Sequence, residues 1–258
     1  MVKYDLDHID IVVSHKCNMN CLFCIDKFRG NDGEIELKSI ETFLKKIRKY
    51  EDRCLEVLLL GGEPTIIGSE KLIKIAQVIR NYGFLPIIST NGFDKETIIK
   101  VLPYFEWIQI TTHSEKETEY WRKVNNSSHN INLKLSGDKS LTYDKLMKFI
   151  EETTDFTRRS VSMYFTPEYK ELCEDKKIWE LLNSLKWARN GSYLYAFYEN
   201  VRFKKCIPGE TNLIDEPTVP KLYPNGNYNK TWLNEKNDDY LIIHSNNLQS
   251  TNRLKTES

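Results

Sequence analysis

The sequence predicts an α/β protein built on a mainly parallel sheet. Short apolar, β-branched runs alternate with stretches of helical periodicity. Turn residues mark each switch between the two. The connections are short, as in repeated strand–helix units whose helices cover the sheet from outside. Six such units suit an open partial barrel or a doubly wound sheet. In both, ligands gather at the C-terminal ends of the strands.

The elements follow in order. His8–His15 alternates polar and apolar residues and carries Ile and Val, which predicts a strand. Lys16–Gly33 is loop, with three cysteines and a Gly-Asn-Asp-Gly turn. Leu37–Tyr50 sets Leu37, Ile40, Phe43, Leu44 and Ile47 at helical spacing. Glu56–Leu60 is a short strand running into Gly61-Gly62. Ser69–Tyr82 is helical, and Gly83 closes it. The rhythm then repeats. Strands are predicted at Pro86–Thr90, Trp107–Thr112, Ile131–Leu135 and Ser160–Phe165, and helices at Lys95–Phe105, Glu115–Val124, Leu141–Phe156 and Asp175–Ala188. Beyond Asn190 the chain becomes aromatic and β-rich over Tyr193–Phe203, with turn signals at Cys206-Ile-Pro-Gly and Tyr223-Pro-Asn-Gly. Ser245–Ser258 is polar and expected to be mobile.

Composition sets limits on function. The 258 residues are 40% hydrophobic and 12% aromatic, enough for a sizeable core. Lys plus Arg and Asp plus Glu number 37 each, so no net basic field draws a nucleic-acid backbone. No apolar run approaches the ~18 residues of a membrane span. The polar N-terminus lacks a signal-peptide core, so a cytoplasmic protein is expected. Its six cysteines are then expected to be thiols, not disulfides.

Three of those cysteines, Cys17, Cys21 and Cys24, lie in one loop directly after the first strand. Three thiolates can hold three irons of a 4Fe–4S cluster and leave the fourth open to an exogenous ligand. Structural zinc, with His15 as fourth ligand, is the alternative, but zinc sites pair ligands across two knuckles and a second pair is missing.

The Cys17-Asn-Met-Asn-Cys21-Leu-Phe-Cys24 run resembles the signature of the radical S-adenosylmethionine (SAM) superfamily, with Phe23 as the aromatic before the last cysteine. Gly61-Gly62-Glu63-Pro64 is similar to that family's GGE motif, and Ser89-Thr90-Asn91-Gly92 to its stretch after the third strand. The resemblance implies one 4Fe–4S cluster on Cys17, Cys21 and Cys24, whose open iron binds the methionine part of SAM. An electron then splits the sulfonium, and the 5′-deoxyadenosyl radical abstracts hydrogen from the substrate. Gly61 and Gly62 are expected to let the backbone approach SAM, and Glu63 to pair with its ammonium group. Ser89, Asn91 and Ser114 are expected SAM contacts. Arg122 is a candidate partner for the SAM carboxylate, with a solvated helix face as the alternative.

The fold read from this resemblance is a partial (β/α)6 TIM-like barrel over residues 7–190. A short cap follows at 191–244, then a flexible tail at 245–258. The cap resembles the start of the SPASM or twitch extensions of the family, but no cysteine follows the Tyr223-Pro-Asn-Gly turn, so a second cluster is not expected. Cys206 is a candidate hydrogen-atom donor to the substrate radical. A leftover buried thiol is the alternative. The expected partners are a small reductant protein (flavodoxin or ferredoxin) and a peptide substrate, with oxidation or rearrangement of a sugar or nucleotide metabolite as the second choice. A zinc-stabilised binding module is the contrasting non-enzymatic reading.

Overall fold

The computed structural model describes residues 8–21, 33–125, 130–137, 141–156, 158–164, 175–186, 188–190, 193–199, 201–206 and 220–228. Six strand–helix units follow one another as expected. The strands are β1 (Ile9–Ser14), β2 (Glu56–Gly61), β3 (Leu85–Thr90), β4 (Trp107–Thr112), β5 (Ile131–Gly137) and β6 (Arg159–Tyr164). The helices are α1 (Leu37–Arg48), α2 (Ser69–Asn81), α3 (Lys95–Val101), α4 (Glu115–Asn125), α5 (Tyr143–Glu152) and α6 (Lys176–Ser184). The six strands pair in parallel and in sequence order. A doubly wound sheet would reverse direction at a switch point, and this order has none. The fold is an α/β partial barrel, open at both edges.

Helix ends have local causes. The helix expected over Lys95–Phe105 stops at Val101, and Leu102–Tyr104 tightens into a 3-10 turn. Pro103 lacks the N–H that would continue the ladder. α5 begins at Tyr143, after Leu141, because the Thr142 side chain accepts the Lys145 N–H and caps the helix.

The sheet continues past residue 190. Ala188–Asn190 (β7) and Tyr193–Tyr198 (β8) pair antiparallel, and β8 pairs antiparallel with Val201–Cys206 (β9). β9 then lies parallel to β6, while Lys221–Leu222 (β10) lies parallel to β1 at the other side. The described part of the expected cap thus extends the barrel sheet itself. Added strands satisfy backbone groups that β1 and β6 would otherwise present as bare edges. Residues 207–219 and 229–258 lie outside the described residues.

The core lies between the sheet and its helices. Ile9, Ile11 and Val13 of β1 join Val57, Leu59, Ile108, Ile110 and Leu133 there. Ile40, Phe43, Leu44 and Ile47 face them from α1 at the helical spacing the sequence shows. Burial of each such side chain contributes about 1.5–3 kcal/mol. The other face is not sealed. β2 and β4 alternate fully buried with half-buried residues, leaving Leu58, Leu60, Gln109 and Thr111 half-buried. This open face carries Leu58 and Leu60 on β2, and polar residues across β4–β6, where Gln109 aligns with Asn132, and Thr111 with Lys134 and Ser160.

Candidate active site

Every motif singled out in the sequence, save those outside the described residues, sits near the C-terminal ends of the parallel strands. β1 ends at Ser14, which is fully buried. Its hydroxyl donates to Gly33 O (3.2 Å) and accepts from Lys16 N (3.1 Å). One side chain thus ties both ends of the cysteine loop together. Sequence reading missed it.

The two glycines at the end of β2 serve a close approach of backbone to the start of the cysteine loop. Gly62 N donates to Ser14 O and Glu63 N to Lys16 O, both at 2.8 Å. A Cβ at Gly61, whose φ is +140°, would stand 2.2 Å from Ser14 O. One at Gly62 would stand 2.2 Å from Lys16 O and 2.6 Å from His15 O. The backbone these glycines admit here is the base of the cysteine loop.

Glu63 is 1% exposed. Its Oε1 accepts from Thr65 N (3.0 Å), Thr65 Oγ1 (2.7 Å) and Thr90 Oγ1 (2.6 Å), and its Oε2 from Asn91 N (2.7 Å). The carboxylate binds the end of β2 to the end of β3. Asn91 carries the chain of contacts onward: its Nδ2 donates to Asn18 Oδ1 at 2.7 Å, and its Oδ1 accepts from Phe93 N at 3.0 Å. It makes the Asn-Gly turn and a polar bridge at once, and the bridge ends between Cys17 and Cys21. Cys17 is exposed and Cys21 half-buried. Met19 N donates to Cys17 Sγ at 3.4 Å. Phe23 and Cys24 lie outside the described residues.

The remaining candidates divide. Ser89 lies on β3 in register with Gln109, on the open face. Ser114 follows β4, exposed, and its Oγ accepts from Glu117 N at 3.3 Å. Glu117 reaches back to His113 N at 2.8 Å. Ser114-x-x-Glu117 thus behaves as a capping pair for α4, a pattern legible in the sequence. His113 and Ser114 also border a cavity of about 340 Å³ between α4 and α5, floored by Leu135, Leu141 and Phe149. Arg122 is not brought to this end. It sits about two turns along α4 from Ser114 and donates to Glu152 O at the end of α5 (3.4 Å). Cys206 ends β9 in register with Tyr164 of β6, at the same end of the sheet as the cysteine loop.

Residues 11–171 match the family model described as Radical SAM superfamily. The chain belongs to the radical SAM superfamily. As in that family, its cofactors are a 4Fe–4S cluster and SAM. It is 32% identical over 102 residues to a Saccharolobus islandicus protein described as "Probable GTP 3',8-cyclase", which is 38% of this chain and 30% of that one. It is 30% identical over 105 residues to an S-adenosylmethionine-dependent nucleotide dehydratase of Flammeovirga pacifica, covering 38% of this chain and 35% of that one. The matched region spans about a third of the length of these curated relatives. Among solved structures, Streptococcus suis SuiB bound to its precursor peptide SuiA superposes with a TM-score of 0.57 at 14% identity, over 91% of this chain and 62% of that chain. That likeness shows the fold.

The donor set suits this radical SAM cluster. Cys17 and Cys21 are thiols on one loop, at the end of a strand, reachable from outside. Among the described residues no three of His, Cys, Asp and Glu gather as a metal site. No helix of the described residues is long and apolar enough to cross a membrane.

Proposed function

We propose that this radical SAM enzyme cleaves SAM reductively and uses the resulting radical to take a hydrogen atom from a substrate held against the open face of the sheet. The observation that carries this reading is the stitched junction of three strand ends: the cysteine loop on β1, Gly61–Glu63 on β2 and Asn91 on β3. Cys17, Cys21 and Cys24 hold the cluster in this reading. When bound, the cluster and SAM supply a one-electron cleavage of the sulfonium, with the electron delivered by a flavodoxin or ferredoxin. The chain's own residues orient and seal. Glu63 would pair with the ammonium group of SAM, while its contacts to Thr65, Thr90 and Asn91 keep it fixed. Ser89 and Asn91 line the same end, and Ser114 borders it from β4. Arg122 drops out of the SAM contacts.

For the substrate we propose a small polar metabolite of the nucleotide class. The polar half of the open face, with Gln109, Asn132, Lys134 and Ser160, supports it, as do the nucleotide substrates named for two curated relatives. A ribosomal peptide is the second reading. It is favoured by the twitch-like Tyr223-Pro-Asn-Gly turn, which forms here with Tyr223 N donating to Asn227 O (2.8 Å) and Gly226 N to Tyr223 O (2.9 Å). Cys206, at the end of β9, is the candidate hydrogen donor in either case.

Protein purified without oxygen is expected to be brown, with about four irons per chain. Dithionite plus SAM is expected to yield 5′-deoxyadenosine, faster with a nucleoside triphosphate present than with a peptide. Iron-free, zinc-loaded protein would overturn the reading. For Cys206, product formed in heavy water by Cys206→Ala is the test: unchanged product and isotope content end its role as donor.

A further inference from the structure

Asn18 belongs to no expected ligand or SAM contact, yet it stands where the whole network of buried contacts ends. The network starts at Glu63, 1% exposed and fixed by Thr65 and Thr90. It passes through the Asn91 backbone, whose N–H donates to Glu63 Oε2. It leaves through the Asn91 side chain, whose Nδ2 donates to Asn18 Oδ1 at 2.7 Å. Asn18 and Cys17 are themselves exposed, so packing does not hold this part of the loop. The hydrogen bond to Asn91 does.

The consequence falls on the sulfur of Cys17. The peptide joining Asn18 to Met19 carries the N–H that donates to Cys17 Sγ at 3.4 Å. With the Asn18 side chain pinned, rotation of that peptide plane is restrained, which favours its N–H staying aimed at the sulfur. The Cys17 thiol lies 4.0 Å from Asn18 Oδ1. A ligating Cys17 has lost that proton and cannot make that contact, whereas the Met19 N–H contact persists. Reducing a cluster adds negative charge that its sulfurs share. Hydrogen bonds to those sulfurs favour the reduced form and are among the features that set the potential. Donors aimed at charged acceptors are also the stronger ones.

We propose that Asn18 is a positioning residue for the cluster: anchored by Asn91, it holds the Met19 N–H on the Cys17 sulfur and so raises the reduction potential. The proposal rests on the reading of Cys17 as a cluster ligand. It says that the GGE carboxylate reaches the cluster's electronics through Asn91 and Asn18, in addition to any contact with SAM.

The test is a redox titration followed by electron paramagnetic resonance, in the absence of SAM, on anaerobically reconstituted protein. Asn18→Ala, matched to wild type in iron content, is expected to reduce at a more negative potential. Asn91→Ala is expected to shift the same way. The double variant is expected to shift no further than either single one, because both remove one bridge. A wild-type potential in iron-loaded Asn18→Ala overturns the proposal, and so do additive shifts. If Asn18→Ala holds no iron, Asn18→Asp keeps an acceptor for Asn91 and is expected to restore iron content; no recovery overturns it equally. Failure of wild type to take up iron would instead remove the cluster reading on which all this stands.

Discussion

Glu63 is a carboxylate for a reason its amide cannot satisfy. Each of its oxygens faces a backbone N–H, Thr65 N at Oε1 and Asn91 N at Oε2. In Glu63→Gln, either orientation turns the amide NH2 against one of those fixed donors. A buried donor left without an acceptor costs about 1–3 kcal/mol. Urea denaturation of the iron-free protein is expected to show that loss; a midpoint equal to wild type would contradict the network. Gly62→Ala acts on the same junction from the other strand. Its Cβ would meet Lys16 O at 2.2 Å, a backbone atom that cannot rotate away. The base of the cysteine loop must move, at a typical overpacking cost of about 1–3 kcal/mol. Lower iron retention and an earlier thermal transition are expected together. The sequence singled out the cysteines, glycines and Glu63 here, because Cys, Gly and Glu are chosen for special properties. It did not show that Gly61 and Gly62 serve the cysteine loop. A motif tells that backbone must approach closely, and only the fold tells what it approaches. Ser14, Thr65 and Thr90 were hidden for the same reason, since hydroxyls on strands and turns are common.

At the scale of elements, the six strand–helix units were legible because apolar periodicity and burial coincide. Ile40, Phe43, Leu44 and Ile47 are both the spacing signal and the buried face of α1. The β7–β9 extension was legible as strand-like but not as part of the same sheet, since pairing partners leave no local mark. Between elements, Arg48 does work that composition alone would assign to a solvated helix face. Its Nε donates to Tyr82 O (2.9 Å), Nη2 to Gly83 O (3.0 Å) and Nη1 to Glu51 O and Arg53 O (both 3.0 Å). The guanidinium also lies 3.8 Å over the Phe84 ring. It therefore fastens the end of α1 to the two carbonyls that follow α2 and to the turn before β2. A lysine ammonium cannot fill that fork or stack on the ring. Arg48→Lys is expected to lower unfolding free energy by about 1.5–3 kcal/mol, the worth of hydrogen bonds to a charged group. Denaturant titration checks it, and a change below about 0.5 kcal/mol, the range of ordinary surface substitutions, would refute it.

Across the whole molecule, two carboxylates join segments far apart in the chain. Asp10, buried on β1, pairs with Lys221 of β10 (3.3 Å) and with His8 (3.3 Å). Burial pushes its carboxyl upward, but His8 and Lys221 outweigh burial and hold it below the ordinary value. Asp175 accepts from Tyr143 N at the start of α5 (2.7 Å) and from Lys177 N in α6 (3.0 Å). The Tyr143 N–H is the main cause of its lowered pKa. In both cases the unfolded chain takes up the proton before the folded one does. The stabilisation they contribute is therefore complete above the ordinary carboxylate pKa of about 3.9 and is lost as pH falls through the lower folded values. One contact secures β10 against β1 and the other secures α6 against α5, so acid should loosen that sheet edge and this helix pair over one pH window. Asp10→Asn is expected to be less stable than wild type at neutral pH, with the difference shrinking below about pH 4 as wild type loses the same charge. Asp175→Asn should narrow in the same window. Unfolding free energies measured from neutral pH down to about pH 3 decide the matter: a gap that stays constant with pH would mean that shape, not the carboxylate charge, joins these segments.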